Sequence, residues 1–372
     1  MSAPERPGRL LWNVVWKGLL LFLIFNLLFA AFPPRLGKVS AYNRLFPGRA
    51  RFPFGENPAQ SYNLSLYDVD AMFASHEIAA LKPAGEFRVL VVGDSSVWGT
   101  LLRPEQTLSA YLTAALADNR CGLPVKVYNL GYPTLSLTKD LMIIDRAMEY
   151  QPDLIIWMVT LESFARAKQL ESPIVANNPG IVSDLAERYN LSLAPRFEGT
   201  WLDRTIVGQR RALADWTRLQ LYGVMWAATG VDQFYPETYQ PAARDLDPDP
   251  AWQGLEPDEL PVDALALDVL GAGMRAAGDV PVLLVNEPML ISNGENRDVR
   301  YNFFYPRWAY DQYRQILSAL SEQLGWNYLD LWRLVPQSEF TNSAIHLTPA
   351  GEQQLAAEIA PVVEQEACWF ED

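Results

Sequence analysis

Two short stretches hold the residue types that could do nucleophilic chemistry: Gly93-Asp94-Ser95, and the loop Asn342-Ser343-Ala344-Ile345-His346. A serine hydroxyl is a weak nucleophile until an adjacent base takes its proton. Only two histidines exist, His76 and His346. His76 follows Met72 and Phe73 in a run that reads as a short packed helix. His346 stands in a loop just ahead of Thr348-Pro349 and Glu352, a helix start with a cap, a proline at the first position and an acid in the first turn. Ser95 is therefore the candidate nucleophile and His346 the candidate base. The plainer alternative is a helix N-cap, a common use of Asp and Ser.

Both candidates need elements to hold them. Arg88 to Val92 is apolar without alternation, which suits a strand buried on both faces of a parallel sheet. It stops abruptly at Gly-Asp-Ser, so Ser95 lies beyond a strand's carboxyl end, where open α/β sheets bind ligands. A helix over about 107–117, a strand over 125–130, a helix over 137–150 and a strand over 153–159 continue the rhythm. After an insertion at about 163–262 the rhythm returns, with helices over 264–277 and 306–324, strands over 280–285 and 326–331, and a last helix over about 349–365. Strands alternating with helices of this length imply five parallel strands with right-handed crossovers. The insertion holds a helical pattern between Thr205 and Thr229 and an acidic, proline-rich loop from Asp245 to Pro261. It reads either as a small packed subdomain or as a lid over the crevice.

With Gly93-Asp94-Ser95 after the first strand, Gly131 after the second and His346 before the last helix, the chain resembles the SGNH, or GDSL-type, esterase and lipase family over about 88–365, outside the insertion. The resemblance implies a flavodoxin-like three-layer α/β sandwich with a five-stranded parallel sheet. It also implies an oxyanion hole lined by the Ser95 and Gly131 N–H groups. Two positions depart from the family pattern. Leu161 stands where an asparagine donor is expected, leaving Thr160 and Asn286 as substitutes. Ser343, preceded by Asn342, stands where an aspartate should orient the histidine, and Glu162 and Glu287 are the next carboxylates near strand ends. The implied activity is that of a serine esterase or O-acyltransferase, without metal or cofactor, acting on an acetyl or acyl ester of an extracytoplasmic glycan or lipid. The alternatives are a catalytically degenerate glycan- or protein-binding module and a structural membrane-assembly protein.

Charge distribution bears on location. The chain of 372 residues carries a net charge of −14, which argues against a general nucleic-acid binder. Residues 1–51 hold eight Lys or Arg against Glu5 alone, so a segment of +7 precedes a body of −21. Within it, Leu10 to Phe32 is apolar enough, and about the ~20 residues long, to span a bilayer. We expect an uncleaved single-pass anchor at 1–34, a neck at 35–87 and an extracytoplasmic domain at 88–372, in the cell membrane. A cleaved signal peptide is the rival, although 28–31 offer no clean small-x-small site. Cys121 and Cys368 fit either one disulfide or two inert thiols, and an exported body favours the disulfide.

Overall fold

The computed structural model describes residues 7–32, 34, 36–194, 200–257 and 259–369. Glu5, Arg6 and Arg35 of the basic segment, and Pro33 at the end of the expected anchor, lie outside the described residues. Helix α1 (Pro7–Ala31) leads into the neck, which carries a short helix, α2 (Val69–Ser75). The body then builds one sheet from β1 (Phe87–Gly93), β2 (Val125–Gly131), β3 (Leu154–Val159), β4 (Val282–Asn286) and β5 (Asn327–Asp330). All neighbours pair in parallel, in the order β2-β1-β3-β4-β5. This is the five-stranded α/β arrangement expected from the strand and helix rhythm.

Every residue of β1 and β3 is buried, because helices cover both faces. Between the strands run α3 (Ser95–Trp98), α4 (Leu108–Ala115) and α5 (Leu137–Ala147), with α6 (Pro179–Tyr189) and α7 (Arg210–Thr229) in the insertion. They are followed by α8 (Leu267–Ala276), α9 (Arg307–Leu324) and α10 (Pro349–Trp369). One face of the sheet packs Leu137, Leu141 and Ile144 of α5 with Leu270 of α8 and Tyr310 and Tyr313 of α9. The other packs Leu108 and Leu112 of α4 with Leu355, Ile359 and Val363 of α10. Helix α8 lies so close to the sheet that a Cβ at Gly273 would fall 2.3 Å from the Trp157 ring, so glycine is required there.

The strand order reverses between β1 and β3, and that reversal opens a crevice beyond their carboxyl ends. The insertion leaves and rejoins the body at one point, where Ala165 bridges Leu265 and the Ala266 N–H donates to Phe164 O at 2.8 Å. Between these ends, α7 lies along the neck. Gly223 packs on the Tyr42 ring, and Trp216 Nε1 donates to Leu36 O at 3.0 Å.

The neck in turn grips the start of the body. Arg51, buried, donates to both carboxylate oxygens of Asp232 at 2.7 and 2.8 Å and to the carbonyls of Trp98, Gly99 and Leu102 at 2.9–3.2 Å. One guanidinium thus caps the end of α3 and ties it to the end of α7. Cys121 and Cys368 are joined as a disulfide with Cα atoms 5.4 Å apart, linking the loop after α4 to the end of α10.

Candidate active site

The local sequence explains why Ser95 is presented. Asp94 caps α3, its Oδ1 accepting from the Ser96 N–H at 2.8 Å, and Gly99, at φ +84°, ends the helix after four residues. The left-handed backbone at Gly99 is one that glycine adopts without steric cost. Ser95 therefore occupies the first helical position. Its N–H belongs to the first turn, which has no intrahelical carbonyl to meet. The helix cap is thus supplied by Asp94, which leaves the Ser95 side chain free of that task.

His346 is delivered by a loop closed on itself. Phe340 bridges Leu347, and the Thr341 N–H donates to His346 O at 2.8 Å. Helix α10 then starts as its residues dictate, with the Gly351 N–H donating to Thr348 Oγ1 at 3.2 Å. This brings His346 Nε2 to 2.7 Å from Ser95 Oγ, across 251 residues of sequence. The other ring nitrogen, Nδ1, lies 2.9 Å from Asn342 Oδ1. An amide oxygen can only accept, so it fixes the proton on Nδ1 and leaves Nε2 free to accept from Ser95.

Asn342, not Ser343, is the side chain beside the ring, and no hydrogen bond joins the Ser343 hydroxyl to it. The four-residue separation lets Asn342 reach back across the closed loop. Burial pulls the imidazole from 6.5 down to about 4.

Of the other donors expected around an oxyanion, each has a partner in the structure. The Gly131 N–H donates to Asn129 Oδ1 at 3.0 Å. Thr160 is fully buried and its hydroxyl donates to Tyr305 at 2.9 Å. Asn286, also fully buried, donates to Asp330 at 2.8 Å and accepts from Tyr310 and Tyr313 at 3.3 and 3.2 Å. The Ser95 N–H is left as the unengaged donor among these.

Beneath Ser95 lies a set of buried ionisable groups that spacing alone does not predict. Ser96 Oγ donates to Glu287 Oε2 at 2.5 Å, and the Glu287 carboxyl is also hydrogen-bonded to Asp94. Burial and then the Asp94 charge push Glu287 well above the carboxylate range, so it keeps the proton the pair shares. Burial raises Asp94 as well, opposed by the nearby Lys139 cation and the Ser96 hydrogen bonds. Lys139 is fully buried, donating to Gly93 O at 2.6 Å and pairing with Asp140 at 2.5 Å. A water-sized cavity of about 10 Å³ behind Ser96 is lined by Glu287 and Glu352. Burial alone lifts Glu352 to about 8.

Two other candidates take structural places. His76 is fully buried, with Nε2 2.9 Å from Asn129 O and Nδ1 accepting from the Ile78 N–H at 3.1 Å. Burial pulls it to about 3, so it stays neutral. Glu162 pairs with Lys168 at 2.5 Å and accepts from Gln253 at 2.9 Å.

No family model and no curated protein matches the chain. Solved structures do. An aryl esterase of M. smegmatis is 16% identical, covering 75% of this chain and 98% of its own, with a TM-score of 0.35. A lipolytic protein of the G-D-S-L family from Veillonella parvula is 11% identical, covering 74% and 97%, with a TM-score of 0.35. A carbohydrate acetylesterase family member from Sinorhizobium meliloti is 14% identical, covering 75% and 98%, with a TM-score of 0.34. What this chain is similar to is a group of solved G-D-S-L and esterase structures.

Proposed function

We propose that the protein is a membrane-anchored serine esterase or O-acyltransferase of the SGNH type, acting on an acetyl or acyl ester of an extracytoplasmic glycan or lipid. The observation that carries the proposal is the chain of hydrogen bonds from Ser95 Oγ to His346 Nε2 and from His346 Nδ1 to Asn342 Oδ1. In this reading Ser95 Oγ attacks the ester carbonyl while Nε2 takes its proton, and the carbonyl electrons move onto oxygen. The resulting oxyanion faces the Ser95 N–H at the positive end of α3. When the intermediate collapses, Nε2 returns the proton to the departing alkoxide and the acyl group stays on Ser95. Water or a sugar hydroxyl, deprotonated by the same nitrogen, then removes it.

Helix α1 is long and apolar enough to cross a bilayer, a test that a signal sequence also passes. Retention is favoured by packing. Asn26 and Ala30 of α1 are buried, and Asn26 Oδ1 accepts from the Val207 N–H of the insertion at 3.3 Å. A leader removed during export would leave those contacts empty.

A second reading, a non-catalytic glycan- or protein-binding module, is favoured by two specific features: His346 is oriented by a neutral amide, and the Gly131 N–H already has a partner. A fluorophosphonate probe separates the two. Labelling of wild type but of neither Ser95→Ala nor His346→Ala is the expected result. Absence of labelling on wild type, under conditions that label a known serine esterase, would select the binding module.

A further inference from the structure

The insertion and the anchor meet below the neck. Trp201 to Arg204 form a single 3-10 turn, and a loop through Val207 and Gly208 leads from it into α7. Trp201, Leu202 and Val207 are half or more exposed, at 51%, 66% and 50%. They face Phe22, Leu23 and Leu27 of α1 across a groove of about 510 Å³. Its charged lining residues are Asp203 and Arg210, and Arg210 Nη1 donates to Val207 O at 2.9 Å.

The depth of this groove follows from helix geometry. At ~1.5 Å per residue, Asn26 lies about 8 Å and Phe22 about 14 Å from the body-side end of α1 at Ala31. The whole helix is only a little longer than the ~30 Å of hydrocarbon in a bilayer. With the hydrocarbon centred on the helix, a residue packed against Phe22 to Leu27 sits inside the leaflet nearest the body. The 201–207 turn is packed there, tied by the Val207 to Asn26 hydrogen bond.

A non-helical segment tolerates that depth only if its backbone polar groups are satisfied internally. Here several of them are closed locally. The Asp203 N–H donates to Thr200 O at 3.0 Å, Thr205 N–H to Leu202 O at 3.1 Å and Gln209 N–H to Thr205 O at 2.8 Å. The Gly208 N–H donates to Thr205 Oγ1 at 3.1 Å, and Gln209 Nε2 to Asp203 O at 2.7 Å. A Cβ at Gly208 would fall 2.4 Å from Leu202 O, so the turn closes only with glycine there.

We propose that Trp201 to Val207 is a second membrane-inserted element of this chain, and that the groove between it and Phe22 to Leu27 holds one acyl chain of a bilayer phospholipid, with Arg210 facing the headgroup phosphate. The occupant follows from depth, since hydrocarbon is the solvent at that level; Arg210 is the lining cation, with the Asp203 carboxylate also in the lining. The inference rests on the reading that α1 spans the bilayer.

The test uses the full chain in nanodiscs of phosphatidylglycerol and phosphatidylcholine, with p-benzoylphenylalanine placed singly at Leu19, Leu202 or Trp369. Leu19 is an exposed α1 residue and Trp369 an exposed residue at the end of α10, on the sheet's other side. After irradiation, phospholipid adducts by intact mass are expected at Leu19 and Leu202 and not at Trp369. Adducts at Leu19 with none at Leu202 would overturn the inference while leaving the anchor in place. No adduct at Leu19 would remove the anchor and the inference together. Arg210→Gln should lower the phosphatidylglycerol adduct yield at Leu202 about fivefold, the worth of one cation beside anionic headgroups. An unchanged yield would overturn the assignment of Arg210 to the phosphate.

Discussion

Replacing Asn342 by aspartate would put an anion where the His346 Nδ1–H now meets a neutral amide oxygen, 2.9 Å away, with almost no change in shape. The substitution tests whether His346 becomes a cation during turnover. With the charges about 4 Å apart, the attraction to an imidazolium is about 1 kcal/mol in a water-like dielectric and about 4 kcal/mol at an effective dielectric of 20. Asn342 is exposed, so the lower figure governs. One pKa unit corresponds to about 1.4 kcal/mol, so the imidazole should rise by about one unit. Its starting value is about 4, set by burial.

Because the base must be neutral to accept the Ser95 proton, wild-type kcat/KM should hold down to unusually acid pH and fall only as the ring protonates. In Asn342→Asp that acid limb should move upward by about one unit, and kcat on p-nitrophenyl acetate should rise about fivefold, the rate equivalent of ~1 kcal/mol. Ser343→Asp is the matched control, since it adds the same charge one residue away without a hydrogen bond to the ring. The assay is kcat/KM and kcat against pH for the three proteins. Equal shifts in both variants would reduce the effect to general electrostatics. No shift in Asn342→Asp, with the fold intact, would mean that the ring does not charge in the rate-limiting step.

Two further outcomes concern stability. Glu352 has its folded pKa raised from 4.5 to about 8 by burial, so its contribution is favourable below pH ~4.5 and is lost as pH rises towards 8. Glu352→Gln should remove up to roughly 5 kcal/mol of that pH-dependent loss, read as a flatter unfolding free energy between pH 5 and 8, and an unchanged slope would show that the carboxyl ionises freely. Cys121→Ser with Cys368→Ser should cost ~2–4 kcal/mol in denaturant unfolding, and two free thiols in the denatured, unreduced wild type would show that the bridge does not form.

Much of this molecule was legible in its residues, because burial leaves a periodic trace. Unalternating apolar runs at Val89 to Val92 and Leu154 to Val159 can satisfy only a sheet covered on both faces, and both became fully buried strands. Gly-Asp-Ser at the end of one strand and Thr-Pro before a helix are local punctuation, with local causes, so Ser95 and His346 could be named as a pair before any geometry was known. The apolar run at the start was legible as a helix long enough to cross a bilayer, and it is one continuous helix.

What depended on tertiary structure was the partner of each polar group. Whether Asn342 or Ser343 meets the imidazole is decided by how the Phe340 to Leu347 loop closes, a matter of one residue that no spacing rule resolves. The carboxyl pair Asp94 and Glu287 comes from the ends of different strands, and the Arg51 to Asp232 ion pair joins neck to insertion across 181 residues. Hydrophobic pattern reports which face of an element is buried, a property of neighbours in sequence. Which donor meets which acceptor is fixed only when distant segments are brought together, and there the desolvation cost of an unpaired buried charge selects the arrangement.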